Sequence, residues 1–215
     1  MSIAVDSIQT YTKLVDVAHN CRLCPKMEFR RTFLNEHNGP LSARVMFIGE
    51  ATNVGLETQL AKPMWDSPSG DNLNALLRSV GLSRDEVFVT NTVLHTPVQD
   101  PREYPARMRY VTEEEQKNCS SFLLKQIELV NPEIICTLGN KALAGLALSV
   151  EHHLMLKHDV GRVFPIAGNR WLIPLYHPSP QVMAVWRKWD EQVEDYKVVR
   201  QTLTRLENPS DVINY

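Results

Sequence analysis

Short apolar runs alternate with amphipathic stretches along most of the chain. Arg44–Glu50 (RVMFIGE), Glu86–Val93 (EVFVTNTV) and Glu133–Leu138 (EIICTL) are brief, β-branched and apolar on both faces, which predicts buried strands. Between them, Asp71–Val80 has apolar positions at helical spacing and a stop at Gly81. Thr112-Glu113-Glu114-Glu115 has the form of a capping box and predicts a helix from Thr112 to Val130, ended by Asn131-Pro132. Asp6–Asn20 and the Ala- and Leu-rich Gly139–Leu148 also read as helices. Arg162–Ile166 and Arg170–Tyr176 read as a hairpin or two short strands around Ala167-Gly168-Asn169. A long helix is predicted from Gln181 to about Leu206.

Strands alternating with helices predict an α/β fold with a parallel sheet covered on both faces. The expectation is a three-layer α/β/α sandwich around a central, mostly parallel four-stranded sheet, with residues 1–215 forming a single domain. Ligands of such sheets bind beyond the carboxyl ends of the strands. That rule selects the loops Glu50–Gly70, Asn91–Val111 and His177–Pro180. Within the second, Pro97–Met108 holds three prolines and is the longest irregular stretch in the middle of the chain.

Composition narrows the class. With 215 residues, 43% hydrophobic and 22% charged, the chain can bury a core without disulfides and is not disordered overall. No run approaches the roughly 18 apolar residues of a membrane span. The N-terminal stretch carries acids and no clean apolar core, so no signal peptide, no membrane and a cytoplasmic location are expected, at the nucleoid in a prokaryote. The net charge of −2 gives no global basic signature, so a nucleic acid would have to meet a local cationic patch.

The four cysteines change the picture more. In a reducing compartment they are not expected to form disulfides. Cys21-Arg-Leu-Cys24 follows a helix-like stretch, whereas a redox pair normally follows a strand and opens a helix. Two thiolates converging on a metal or a cluster is the preferred reading. Cys119 near the second turn of the Thr112–Val130 helix is the preferred third ligand. Cys136 lies in an apolar strand and reads as a small core residue.

Taken in order, Cys21/Cys24, Gly49-Glu50-Ala51, Lys62-Pro63-Met64-Trp65, Ser69-Gly70, Thr90-Asn91, Cys119, Leu138-Gly139 and His177-Pro178-Ser179-Pro180 resemble the uracil-DNA glycosylase superfamily. The likeness runs from about residue 20 to 205 and is greatest to the iron–sulfur type called family 4, with family 5 next. It implies a DNA glycosylase that hydrolyses the N-glycosidic bond of uracil, or another deaminated base, and so starts base excision repair. The implied partner is DNA holding such a base, and a monomer is expected.

The resemblance also implies roles. Asn91 would read the base, because an amide can donate to uracil O4 and accept from N3–H. From residue type alone, a turn or cap asparagine is equally compatible. His177 would donate to O2 of the departing base, and Glu50 with Asn53 would position water or stabilise the cationic sugar, Glu57 being a weaker candidate. Met64 or Trp65 would stack on the base, and Ser179 would border the substrate. Pro178 and Pro180 would stiffen a loop that presses on the minor groove, with Gln181, Val182 and Met183 as wedge candidates. Lys62, Arg187 and Lys188, with Arg102, Arg107 and Arg109, would meet phosphates. Trp186 and Trp189 are expected to pack rather than to stack on bases.

Three departures stand out. Thr52-Asn53 replaces the family's Pro-Gly, Met64-Trp65 replaces its stacking phenylalanine, and Leu94-His95-Thr96-Pro97 stands where it has its third cysteine. The resemblance therefore implies a [4Fe–4S] cluster on Cys21, Cys24, His95 and Cys119, within the elements 21–24 and 95–119, with zinc as the alternative cofactor and Cys136 as the alternative ligand. The altered first motif keeps a second reading open, a non-catalytic protein of this fold that binds uracil or single-stranded DNA. A third is a zinc-stabilised hydrolase or transferase acting on free nucleotides.

Overall fold

Strands that are apolar on both faces must be covered on both faces. In the computed structural model, which describes residues 9–27, 34–52, 63–64, 67–100 and 109–208, β1 (Val45–Gly49), β2 (Val87–Asn91) and β3 (Ile134–Leu138) are buried along their whole length. They pair in parallel with one another and with β5 (Arg170–Leu175), and β4 (Phe164–Ile166) runs antiparallel on the outer edge. The sheet order is β2-β1-β3-β5-β4. Among the described residues the sheet thus has five strands, one more than the sequence pattern suggested. The fifth is the first arm of the hairpin. Gly168 and Asn169 both take left-handed φ, which turns β4 back beside β5.

The pleat sorts the strand residues into two layers. Val45, Phe47, Val87, Val89, Ile134, Cys136, Ile173 and Leu175 face α2 (Pro68–Ser79) and α7 (Trp189–Glu207). Met46, Ile48, Phe88, Ile135 and Leu172 face α3 (Glu113–Val130) and α4 (Asn140–Leu146). The three-layer expectation holds. The first helix, α1 (Tyr11–His19), packs on α3 through Leu14, Ala18 and Phe122. A short α5 (Leu156–Asp159) lies outside the predicted elements.

Thr112 caps α3 as its sequence promised. Glu115 N donates to Thr112 Oγ1 at 3.2 Å, and Thr112 N donates to Glu115 Oε2 at 2.9 Å. Asn131 in the left-handed region closes that helix. The predicted C-terminal helix is divided instead into α6 (Pro180–Val185) and α7. Arg187 turns inward at the break, with Nη2 and Nε at 2.7 and 3.0 Å from Asp195. Val185 and Trp186 are left 69% exposed and Trp189 38%, so Trp186 is not the packing residue that the sequence suggested, while most of Trp189 is covered.

Candidate active site and cysteine cavity

The carboxyl ends of β1, β2, β3 and β5 deliver Glu50, Asn91, Gly139 and His177 to one edge of the sheet. Gly49 pairs with Asn91 in register. Gly49 is needed there, because a β-carbon would overlap Asn91 Oδ1. The Asn91 carboxamide therefore lies across the end of β1, and its Nδ2 donates to Thr52 Oγ1 at 3.1 Å. At the other end of the row, Gly139 has φ +94, and a β-carbon on it would sit 3.5 Å from His177 Cβ.

Burial holds His177 near pKa 4, against an ordinary value of 6.5. At neutral pH it is a neutral imidazole with one N–H to give. The unfolded chain takes up this proton as pH falls below about 6.5, and the folded chain does not until about 4. Folding stability should fall by about 3 kcal/mol across that interval. Urea unfolding at pH 7 and pH 4.5 checks this, and a His177→Gln variant should lose that part of the pH dependence.

Glu50 is half-buried. Burial raises its pKa above the usual range, opposed by the backbone N–H of Val111 and by Lys141. Its Oε1 is buried with no hydrogen-bond partner among the described residues. Ser179 caps α6, with Oγ accepting from Val182 N at 3.3 Å. The loop before it is tied to α2, because Asn72 Nδ2 donates to Pro178 O at 2.9 Å. Met64 has φ +51 and packs against the cluster between the sheet and α2/α7. The carbonyl of Pro63 beside it accepts from the buried Arg84 at 3.3 Å. Arg187 is occupied by Asp195 and Glu191, Arg109 by Glu115, and Lys188 is exposed. Asn53, Glu57, Lys62, Trp65, Arg102 and Arg107 lie outside the described residues. Thr52 and Asn72 are the site residues that sequence reasoning missed. Each acts through a contact distant in sequence, for which no local pattern exists.

A second feature sits beside this edge. Cys21 follows α1, Cys119 lies on α3, and His95 follows β2. With Cys24, Leu23, Met27 and Asn118 they line one cavity. Cys119 and Met27 pack with Val93 and Val111, and Cys24 and Ala51 join them, so the cavity abuts the segments that leave β1 and β2. Cys136 faces Tyr196 and α7 in the opposite layer. The alternation of the pleat turns it away from the cavity, whose lining does not include it.

The donor chemistry fits a metal group. His95 is buried, its Nε2 finds no hydrogen-bond partner among the described residues, and burial, with Arg22 and His19, holds it near pKa 4. A neutral imidazole with a free nitrogen is what a metal requires of histidine. Burial pushes the Cys119 thiol up to about 12, and Cys24 is raised as well. Thiols in so apolar a place ionise when a cation supplies the opposing charge. Asn118 Nδ2 stands 3.7 Å from Cys24 Sγ. Yet among the described residues no three His, Cys, Asp or Glu side chains are gathered so as to hold a metal ion. Cys21, Cys24, His95 and Cys119 nonetheless line the same cavity.

Comparison with known proteins agrees with the motif order. A profile of the uracil DNA glycosylase superfamily matches residues 36–203. A type-4 uracil-DNA glycosylase of Thermotoga maritima is 31% identical over 159 residues, 74% of this chain and 76% of its own. One of Saccharolobus solfataricus is 29% identical over 204 residues, 89% of this chain and 85% of its own. A type-5 uracil-DNA glycosylase of Pyrobaculum aerophilum is 30% identical over 199 residues, 79% of this chain and 83% of its own.

Proposed function

The chain belongs to the uracil-DNA glycosylase superfamily, and from that membership we propose that it excises uracil, or another deaminated base, from DNA by hydrolysing the N-glycosidic bond. The observation that carries this reading is the Asn91 amide laid across β1 in the same sheet edge as the neutral His177. Their backbones are three strand spacings apart, about 14 Å. A base can reach that edge only after leaving the duplex stack.

In this reading Asn91 donates to O4 and accepts from N3–H, the order that uracil presents and cytosine reverses. His177 donates its single N–H to O2, where negative charge gathers as the bond to the sugar breaks. Glu50, with Asn53, places the water and opposes the positive charge of the sugar. Met64 or Trp65 covers one face of the base. Ser179 shapes the rigid loop below His177, and Lys188 and Lys62 meet phosphates.

Cys21, Cys24, His95 and Cys119 hold a [4Fe–4S] cluster in the same proposal. Bound there, it would supply a structural clasp joining the segment after α1 to α3 and to the chain leaving β2. Neither membership nor geometry requires a second copy of the chain, and a monomer acting on DNA is the proposed working form. No helix among the described residues is long and apolar enough to cross a membrane.

The test is direct. Oligonucleotides carrying one uracil, single- or double-stranded, should be cut by alkali after incubation with the protein. Oligonucleotides with thymine or cytosine at that position should stay whole. Tight binding of the uracil strand with no abasic site formed would turn the reading toward a non-catalytic binder. Activity confined to free nucleotides would overturn it.

A further inference from the structure

Beyond their last ladder residues, β1 and β2 stay zipped. Thr92 N donates to Gly49 O at 2.8 Å and Val93 N to Glu50 O at 3.0 Å, while Thr92 Oγ1 donates to Glu50 O at 2.9 Å. That pairing fixes the chain as it runs from Glu50 to Thr52. Thr52 is 7% exposed and Asn91 5%. The carboxamide of Asn91 is therefore confined on two sides. Its Nδ2 donates to Thr52 Oγ1, and its Oδ1 occupies the place over Gly49 that any side chain would fill.

A carboxamide on a rotatable bond points its donor and acceptor wherever its plane faces. Fixing the plane fixes both directions at once. One Nδ2–H remains after the bond to Thr52, and the carbonyl oxygen still has lone pairs to offer. Proline, which stands at this position in the motif this chain resembles, has no hydroxyl and offers no such hold.

We infer that Thr52 is a positioning residue for Asn91: its hydroxyl holds the carboxamide plane so that the remaining donor and acceptor face the base together. This rests on Asn91 as the base reader. Removing the hydroxyl leaves an amide proton buried without a partner and frees the plane. A lost partner of this kind corresponds to about a tenfold effect. Because the amide grips the base before and during bond breaking, the change should appear mainly in KM.

The experiment compares wild type with Thr52→Val, which removes only the hydroxyl at nearly constant shape, and with Thr52→Ser, which keeps it. Thr52→Ala serves in place of valine if valine folds poorly. On a uracil oligonucleotide, valine should raise KM about tenfold with a smaller change in kcat, and serine should restore wild-type values. On an Asn91→Ala background, Thr52→Val should change nothing further. The side-chain NH2 protons of Asn91, followed by nitrogen-15 NMR, should exchange slowly in wild type and in serine but quickly in valine. Wild-type kinetics in valine, or an equal loss on the Asn91→Ala background, overturns the inference and leaves uracil excision standing. A wild-type protein that excises no uracil defeats the functional reading instead, and the amide signal still decides whether Thr52 holds Asn91.

Discussion

Replacing His177 by alanine should lower the rate constant for uracil release by about 10²–10³, the effect of losing one donor aimed at a developing anion in a water-poor site. A histidine held near pKa 4 carries no charge at pH 7, so it does not attract the uncharged base in the ground state as a cation would. Its N–H is worth most when the glycosidic electrons have moved onto the base. The loss should therefore fall on kcat in single-turnover experiments, with affinity for the uracil strand changing little. Glutamine at 177 keeps an N–H donor and should recover part of the rate. The pH profile separates this role from acid catalysis by an ordinary histidine. Between pH 6 and 8 the wild-type rate should show no inflection belonging to His177. An inflection near 6.5 that disappears in the alanine variant would mean that the imidazole titrates freely and is not a neutral donor.

Much of the scaffold that places His177 was legible in the chain, and for a physical reason. Strands covered on both faces read as unbroken apolar runs, so β1, β2 and β3 appear within a residue or two of their observed ends. The carboxyl-edge rule then selected the loops that carry Glu50, Asn91 and His177 without reference to any relative. The C-terminal helix was misread because nothing local breaks it. Trp186-Arg187-Lys188 holds neither glycine nor proline, and the turn is stabilised by Arg187 reaching Asp195 eight residues on. The same limit applies at the site. Asn91 stood out by its position at a strand end, but its partner Thr52 lies 39 residues earlier, and the Pro178 carbonyl is held by Asn72 from 106 residues away. Such contacts exist only once the sheet has assembled. The choice between His95 and Cys136 was likewise open in the sequence. The fold separates the two: the pleat places Cys136 on the α7 side, whereas His95 lines the cavity on the α3 side.

That layer assignment yields the other large effect. Protein purified without oxygen should carry about four irons per chain and a broad visible absorption, and alanine at Cys119 or His95 should abolish both. Serine at Cys136 should leave both intact, because its side chain lies across the sheet from the cavity. Cysteine at His95 should retain the iron with a more negative reduction potential, since a thiolate brings a negative charge where a neutral imidazole had been. The stability of the alanine variants should fall with the iron. The cavity packs against Val93 and Ala51, which follow the ends of β2 and β1 and flank the predicted base pocket, and against Val111, which precedes α3. Iron analysis, visible spectra and thermal midpoints read all of this without an activity assay. One zinc per chain and a colourless wild type would replace the cluster by a single tetrahedral ion. Iron kept in His95→Ala but lost in Cys136→Ser would require the fourth ligand to come through the sheet, and the arrangement of layers argued above would fail with it.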